Sequence, residues 1–290
     1  MHGYSVKTYV PARPSRQAPV VSVHGGGHAK WSFEQHARVL SEGGYEVHAL
    51  DWLGHGDSSR LPEERFLRRG IDDVAREELC YLVERLGSPP IIIGHSVGAM
   101  AALVYAESNP IERLVLLTPV VPSSVGADPI DIDVDLTKPF GPVPYDVARQ
   151  LFFPTLDEDL ARMYHDLLEP ESPRAVWQAT RWTIDVDLQA VTAPTLVFAT
   201  ELGLLTPPAA VAGLAELMGA PYELIPAIGH SEILLKRPGS IAVAEGGSTT
   251  TDRDDHAADY CESSATAPGV LPPSTARRST KSSRVISPRA

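Results

Sequence analysis

The amino-acid sequence predicts an α/β fold built on a mostly parallel sheet with helices on both faces. Three observations carry that expectation. Six short apolar runs recur at 19–23, 45–51, 90–94, 113–118, 194–200 and 221–227. Helical patterns separate most of them, which is the rhythm of βα units. At 290 residues and 43% hydrophobic, the chain can also bury one large core without a partner.

The elements follow in order. The run PVVSV (19–23) leads into the glycine-rich stretch HGGG at 24–27, and YEVHALD (45–51) leads into the turn DWLGHGDSS at 51–59. Between residues 70 and 87, Ile71, Val74, Ala75, Leu79, Leu82, Val83 and Leu86 fall on one helical stripe that stops at Gly87, so this helix is expected to pack on the sheet. PIIIG (90–94) enters GHSVG at 94–98, and a helix of small residues leads out to Ser108, ended by Asn109 and Pro110. After RLVLLT (113–118), residues 119–193 pass before the next strand, far beyond an ordinary connection, so an inserted subdomain is expected.

Within that insertion, residues 119–146 are rich in Pro and Asp and read as irregular. Residues 155–169 read as a helix, with Thr155 and Glu158 at capping-box spacing and an apolar stripe of Leu156, Leu160, Met163, Tyr164, Leu167 and Leu168. Ser172 and Pro173 suit the N-cap and first position of a second helix. Two amphipathic helices could form a lid over one end of the sheet; the aromatics between Phe140 and Trp182 are candidates either for its pocket or for its core. From residue 245 the chain loses periodicity and most large apolar residues, the composition of a disordered tail. The expected division is a core of 1–118 and 194–244, a cap or lid insertion of 119–193 and a tail of 245–290.

A formal net charge of −12 argues against binding nucleic acid or an anionic membrane and for a small-molecule substrate. Cys80 and Cys261 lie far apart in unlike contexts, suggesting neither a disulfide framework nor a metal site. No signal-peptide pattern or run of membrane-spanning length is visible, so a reducing, cytoplasmic location is expected, with no cofactor. Oligomeric state leaves no mark on the sequence.

Chemistry concentrates at three places. GHSVG puts Ser96 between an apolar strand and a helix of small residues; at such an elbow the neighbours must be small, and the helix N-terminus favours developing negative charge. HGGG follows another strand, where the amide of Gly26, with that of Val97, suits an oxyanion hole. A phosphate loop is the poorer reading, because neither glycine-loop signature with its lysine is present. His230 follows the last strand, late in the chain, as a general base would.

With GHSVG, HGGG, DWLGHGDSS and IGHSE in this order from about residue 19 to 240, the chain resembles the α/β-hydrolase superfamily, particularly its capped members with a serine nucleophile. The resemblance implies the α/β-hydrolase fold, a cap after the strand ending near Thr118, and structural roles for Asp51 and His55. It also implies a triad acid after the strand PTLVFAT, but Gly203 stands at that register. Glu201 is the nearest carboxylate to this position, and Asp128 is nearest to the alternative position after Thr118. The expected catalytic set is therefore Ser96, His230 and Glu201, with Gly26 and Val97 holding the oxyanion. The expected reaction is cofactor-free hydrolysis of an ester, thioester or lactone through an acyl-enzyme. The alternatives are a lyase using His230 as base, and a non-catalytic ligand-binding homologue.

Overall fold

The computed structural model describes residues 3–13 and 17–236, so the tail expected from residue 245 lies outside the described residues. Each of the six apolar runs contains a strand: β2 (Val20–Val23), β3 (Val47–Leu50), β4 (Ile91–His95), β5 (Arg113–Leu117), β6 (Thr195–Thr200) and β7 (Tyr222–Ile225), preceded by β1 (Val6–Tyr9). They form one sheet in the order β1-β3-β2-β4-β5-β6-β7, parallel except for β1 against β3.

Side-chain alternation along the strands decides the layers. Val21, Val23, Ile92, Leu114, Leu116, Val197 and Ala199 face one buried cluster, whereas Val20, Ile91, Ile93, Val115, Leu117 and Phe198 face another. Ten helices lie among the described residues: α1 (Glu34–Glu42), α2 (Glu63–Arg68), α3 (Ile71–Val74), α4 (Cys80–Leu86), α5 (Val97–Ala106), α6 (Tyr145–Phe152), α7 (Glu158–His165), α8 (Pro173–Arg181), α9 (Pro208–Met218) and α10 (Glu232–Leu235). The expected stripe helix is α3 and α4 joined through a π-helical turn at Ala75–Leu79, and it buries Ile71, Val74, Ala75, Leu79 and Leu82 on the first face together with α5 and α9. Helices α1 and α10 cover the second.

The chain leaves β2 toward β3 on one side and returns to β4 on the other, so the strand order reverses between β2 and β4. Loops diverge at such a switch point beyond the carboxyl ends of the strands, leaving a crevice. The glycine stretch after β2 and Ser96 after β4 both open into it.

The insertion differs from expectation in three respects. Helix α6 is an additional element. Helix α7 starts later than expected, because Asp157 caps it by accepting the Leu160 N–H at 2.9 Å. Thr155 is instead tied to Glu232 through its N–H (2.6 Å) and hydroxyl (2.7 Å). The buried face of α7 is set by Ala161 and continues to Leu168, while Leu160, Met163 and Leu167 stay at least two-fifths exposed. Ser172 and Pro173 do open α8, but the Ser172 hydroxyl donates to the Arg69 carbonyl at 2.6 Å rather than capping its own helix.

Candidate active site

Ser96 is the N-cap of α5 and has φ 55°, ψ −118°, a region that non-glycine residues enter only when the surroundings hold them there. Two glycines permit this bend. A Cβ on Gly94 would lie 2.5 Å from the Ala99 Cα, and one on Gly98 would collide with the His24 carbonyl. The bend is held from the sheet side, where the Ser96 N–H donates to the Leu117 carbonyl at 3.0 Å.

The Ser96 Oγ lies 2.9 Å from His230 Nε2, and both side chains are buried. His230 comes from the loop after β7. That loop is fixed by Glu232, whose buried carboxylate accepts the Gly229 N–H at 2.6 Å as well as the two Thr155 donors. The His230 carbonyl accepts from His95 Nε2 at 3.1 Å and from the Thr118 hydroxyl at 3.3 Å.

Among the described residues, the other ring nitrogen meets no carboxylate. His230 Nδ1 lies 3.1 Å from the buried Thr206 hydroxyl. Since Nε2 faces the Ser96 hydroxyl, a tautomer with hydrogen on Nδ1 donates to Thr206 and leaves Nε2 free to take a proton. Glu201 does not serve this nitrogen: after β6 the chain turns back, with Gly203 N–H donating to Thr200 O at 3.0 Å, and Glu201 Oε2 accepts the Ala227 N–H at 2.8 Å on the exposed edge. Asp128 is exposed, and its carbonyl takes the Trp182 indole N–H at 2.7 Å. The expectation of Glu201 as the histidine's partner is thus corrected to Thr206.

Burial, reinforced by His28, pushes the His230 pKa down to about 3. Burial likewise lowers His28 to about 4 and His24 to about 3, and puts His95 well below its ordinary value. The imidazole beside Ser96 is therefore neutral across the ordinary pH range.

Gly26 and Val97 lie together opposite Ser96. A Cβ on Gly26 would come within 3.0 Å of Val97 Cγ2. Val97 opens α5, so its N–H has no partner within the helix, and the Gly26 N–H has none among the described residues. Both line a cavity of about 190 Å³ whose walls are largely apolar, with Val120, Ile132, Phe140, Val143, Leu151 and Val176 among them. All six come from the insertion, and Glu171 also lines the cavity. Asp51 is buried away from it, accepting the Lys30 and Asp57 N–H groups at 2.7 and 2.9 Å and pairing with the Lys30 ammonium. Among the described residues no three His, Cys, Asp or Glu side chains converge as a metal site, and no helix is long and apolar enough to cross a membrane.

Comparison with known proteins agrees with this fold. The model of the alpha/beta hydrolase family matches residues 20–245. Norfluorocurarine synthase 1 of Strychnos nux-vomica is 28% identical over 116 residues, a stretch that spans 38% of this chain and 41% of that protein. Among solved structures, an esterase from Exiguobacterium antarcticum is 20% identical with a TM-score of 0.60, covering 84% of this chain and 94% of its own. The enol-lactonase from Burkholderia xenovorans LB400 is 16% identical with a TM-score of 0.63, covering 84% of this chain and 95% of its own. Identities this low carry the fold alone.

Proposed function

We propose a specific hydrolytic chemistry from one premise: the chain belongs to the alpha/beta hydrolase family. The reading is cofactor-free cleavage of an activated ester, thioester or lactone of a small, largely apolar molecule through an acyl-enzyme on Ser96, in a cytoplasmic protein whose 119–193 insertion acts as the cap. The observation that carries it is the file Ser96 Oγ, His230 Nε2, His230 Nδ1, Thr206 Oγ1, at 2.9 and 3.1 Å.

In that reaction Ser96 attacks the acyl carbon as His230 Nε2 takes its proton. The amides of Gly26 and Val97 receive the oxyanion, and the imidazolium returns the proton to the leaving oxygen or sulfur. His230 next removes a proton from water, which attacks the acyl-enzyme and releases Ser96. Thr206 fixes the tautomer but brings no charge to the imidazolium. Losing a triad carboxylate lowers turnover by about four powers of ten in the best-studied cases, so amides are poor substrates here, whereas bonds with good leaving groups need less help.

A fluorophosphonate probe should label the wild-type protein at Ser96 and spare Ser96→Ala; labelling that persists in the variant ends the reading. The missing carboxylate also favours a second reading, in which His230 removes a substrate proton and a leaving group departs without an acyl-enzyme. Turnover in ¹⁸O-labelled water separates them, since hydrolysis places solvent oxygen in the acid product and elimination does not. Loss of turnover in His230→Ala would set aside a purely ligand-binding role.

A further inference from the structure

The glycine stretch that faces Ser96 is held by the insertion as well as by its own loop. The peptide between Gly26 and Gly27 is gripped from both sides: His28 Nδ1 donates to its carbonyl at 2.8 Å, and its N–H donates to Glu171 Oε2 at 3.0 Å. The next peptide is gripped too, because the Glu169 N–H donates to the Gly27 carbonyl at 2.9 Å. These bonds fix the peptide that follows Gly26. The Gly26 N–H belongs to the preceding peptide, whose carbonyl on Gly25 accepts from His24 Nδ1 at 2.9 Å and from the His28 N–H at 3.3 Å. The grip on the Gly26–Gly27 peptide therefore acts on that donor through the Gly26 Cα that the two peptides share. Glu171 is itself fixed, since its Oε1 accepts the Ser172 N–H at 2.7 Å.

A buried carboxylate beside an anion site opposes the charge that forms there unless a cation answers it. Here the answering group is His55, whose Nε2 is 3.2 Å from Glu171 Oε2, with both side chains at least nine-tenths buried. Burial alone would lower the His55 imidazole, but the Glu171 charge and contact outweigh it and raise its pKa. The same pairing overcomes burial to hold Glu171 below the usual carboxylate range.

We propose that Glu171 is a positioning residue for the oxyanion site: it sets the Gly26–Gly27 peptide from the insertion, and His55 in the turn at 51–59 neutralises it. Hydrolysis therefore depends on the insertion being seated. The inference rests on the reading of Ser96 and Gly26 given above. It does not require Glu171 to touch the substrate.

The test is steady-state hydrolysis of a p-nitrophenyl ester, together with the inhibition constant of phenylboronic acid, whose adduct with serine is tetrahedral and anionic. Glu171→Gln keeps the shape but turns an amide NH₂ toward a donor. It should lower kcat by about ten- to a hundredfold, within the cost of losing one oxyanion donor. KM should stay within about threefold, and boronic acid binding should weaken in proportion to kcat. Arg60→Gln removes the exposed ion pair to Glu169 across the same junction and should leave kcat, KM and boronic acid binding unchanged. A folded Glu171→Gln protein with wild-type kcat and boronic acid affinity overturns the proposal, and so does an equal loss in Arg60→Gln. If Glu171→Gln does not fold, His55→Gln carries the test, since an unanswered carboxylate should weaken boronic acid binding by about tenfold. Wild-type turnover without fluorophosphonate labelling overturns the acyl-enzyme reading and this inference with it, an outcome distinct from a labelled wild type beside an unimpaired Glu171→Gln.

Discussion

Two histidine environments a few residues apart in space obey opposite rules. Around Ser96, the imidazoles of His28, His95 and His230 are buried among neutral partners: a carbonyl for His28 and His95, two hydroxyls for His230. Their pKa values fall. At the junction between the insertion and the turn, His55 is as deeply buried but faces a carboxylate, and its pKa rises. Depth alone does not decide a histidine's charge; the nearest formal charge does. The surroundings of Ser96 are kept neutral, and the junction between the insertion and the turn is kept as an ion pair.

The largest expected effect falls on the neutral region. Ser96→Ala and His230→Ala should each lower turnover by about a thousandfold or more, since members of such a unit fail together; near-wild-type turnover in either, measured with an activated ester, would remove that region from catalysis. Acid comes next. His24, His28, His95 and His230 bind protons more weakly folded than unfolded, so the stability they contribute is whole above about pH 6.5 and drains away as pH falls toward their folded values. For His24, His28 and His230, with folded values of about 3, 4 and 3, each unit of pH below 6.5 costs about 1.4 kcal/mol, or roughly 2 kcal/mol each by pH 5, and His95 acts in the same direction. The urea midpoint should therefore drop steeply between pH 6.5 and 5. His55 runs the other way: its contribution is whole below about pH 6.5 and is lost as pH rises through its raised folded value.

Thr206 offers a finer probe of the same contrast. Thr206→Val should lower kcat by about ten- to a hundredfold, the worth of one buried hydrogen bond to the base. Thr206→Asp would import the junction's rule into the neutral region. It should raise kcat by about tenfold or more and move the acidic limb of the pH–rate profile upward, because the new carboxylate favours the imidazolium. In the wild type no limb near pH 6.5 is expected, given a His230 pKa of about 3. The smallest effect belongs to Arg60→Gln, which removes an exposed pair worth at most about 1 kcal/mol and should move Tm by only a few degrees.

The strands were legible in the residues, because unbroken apolar runs such as VVSV, IIIGH and RLVLL mark strands buried on both faces of a parallel sheet. The elbow was legible for a related reason: Gly94 and Gly98 are demanded by close backbone approach, a local requirement that leaves a local mark. The partner of His230 was not, nor was Glu171. Thr206 reaches the ring through the turn after β6, and Glu171 reaches Gly27 across 144 positions of chain. Helix α7 failed halfway, since hydrophobic spacing shows an amphipathic helix but not which leucines a neighbour will cover.

By itself, the sequence determined six strands, the helices at 70–87 and after Ser96, the serine elbow and the histidine late in the chain, since each follows from contacts within a few residues or from the period of burial. Only the tertiary structure decided that, among the described residues, a hydroxyl and not a carboxylate stands behind His230, and that the insertion reaches the Gly26–Gly27 peptide through Glu171. Both are pairings between distant loops, where a side chain's role is set by what the fold brings within about 3 Å of it, and no local pattern encodes that neighbour.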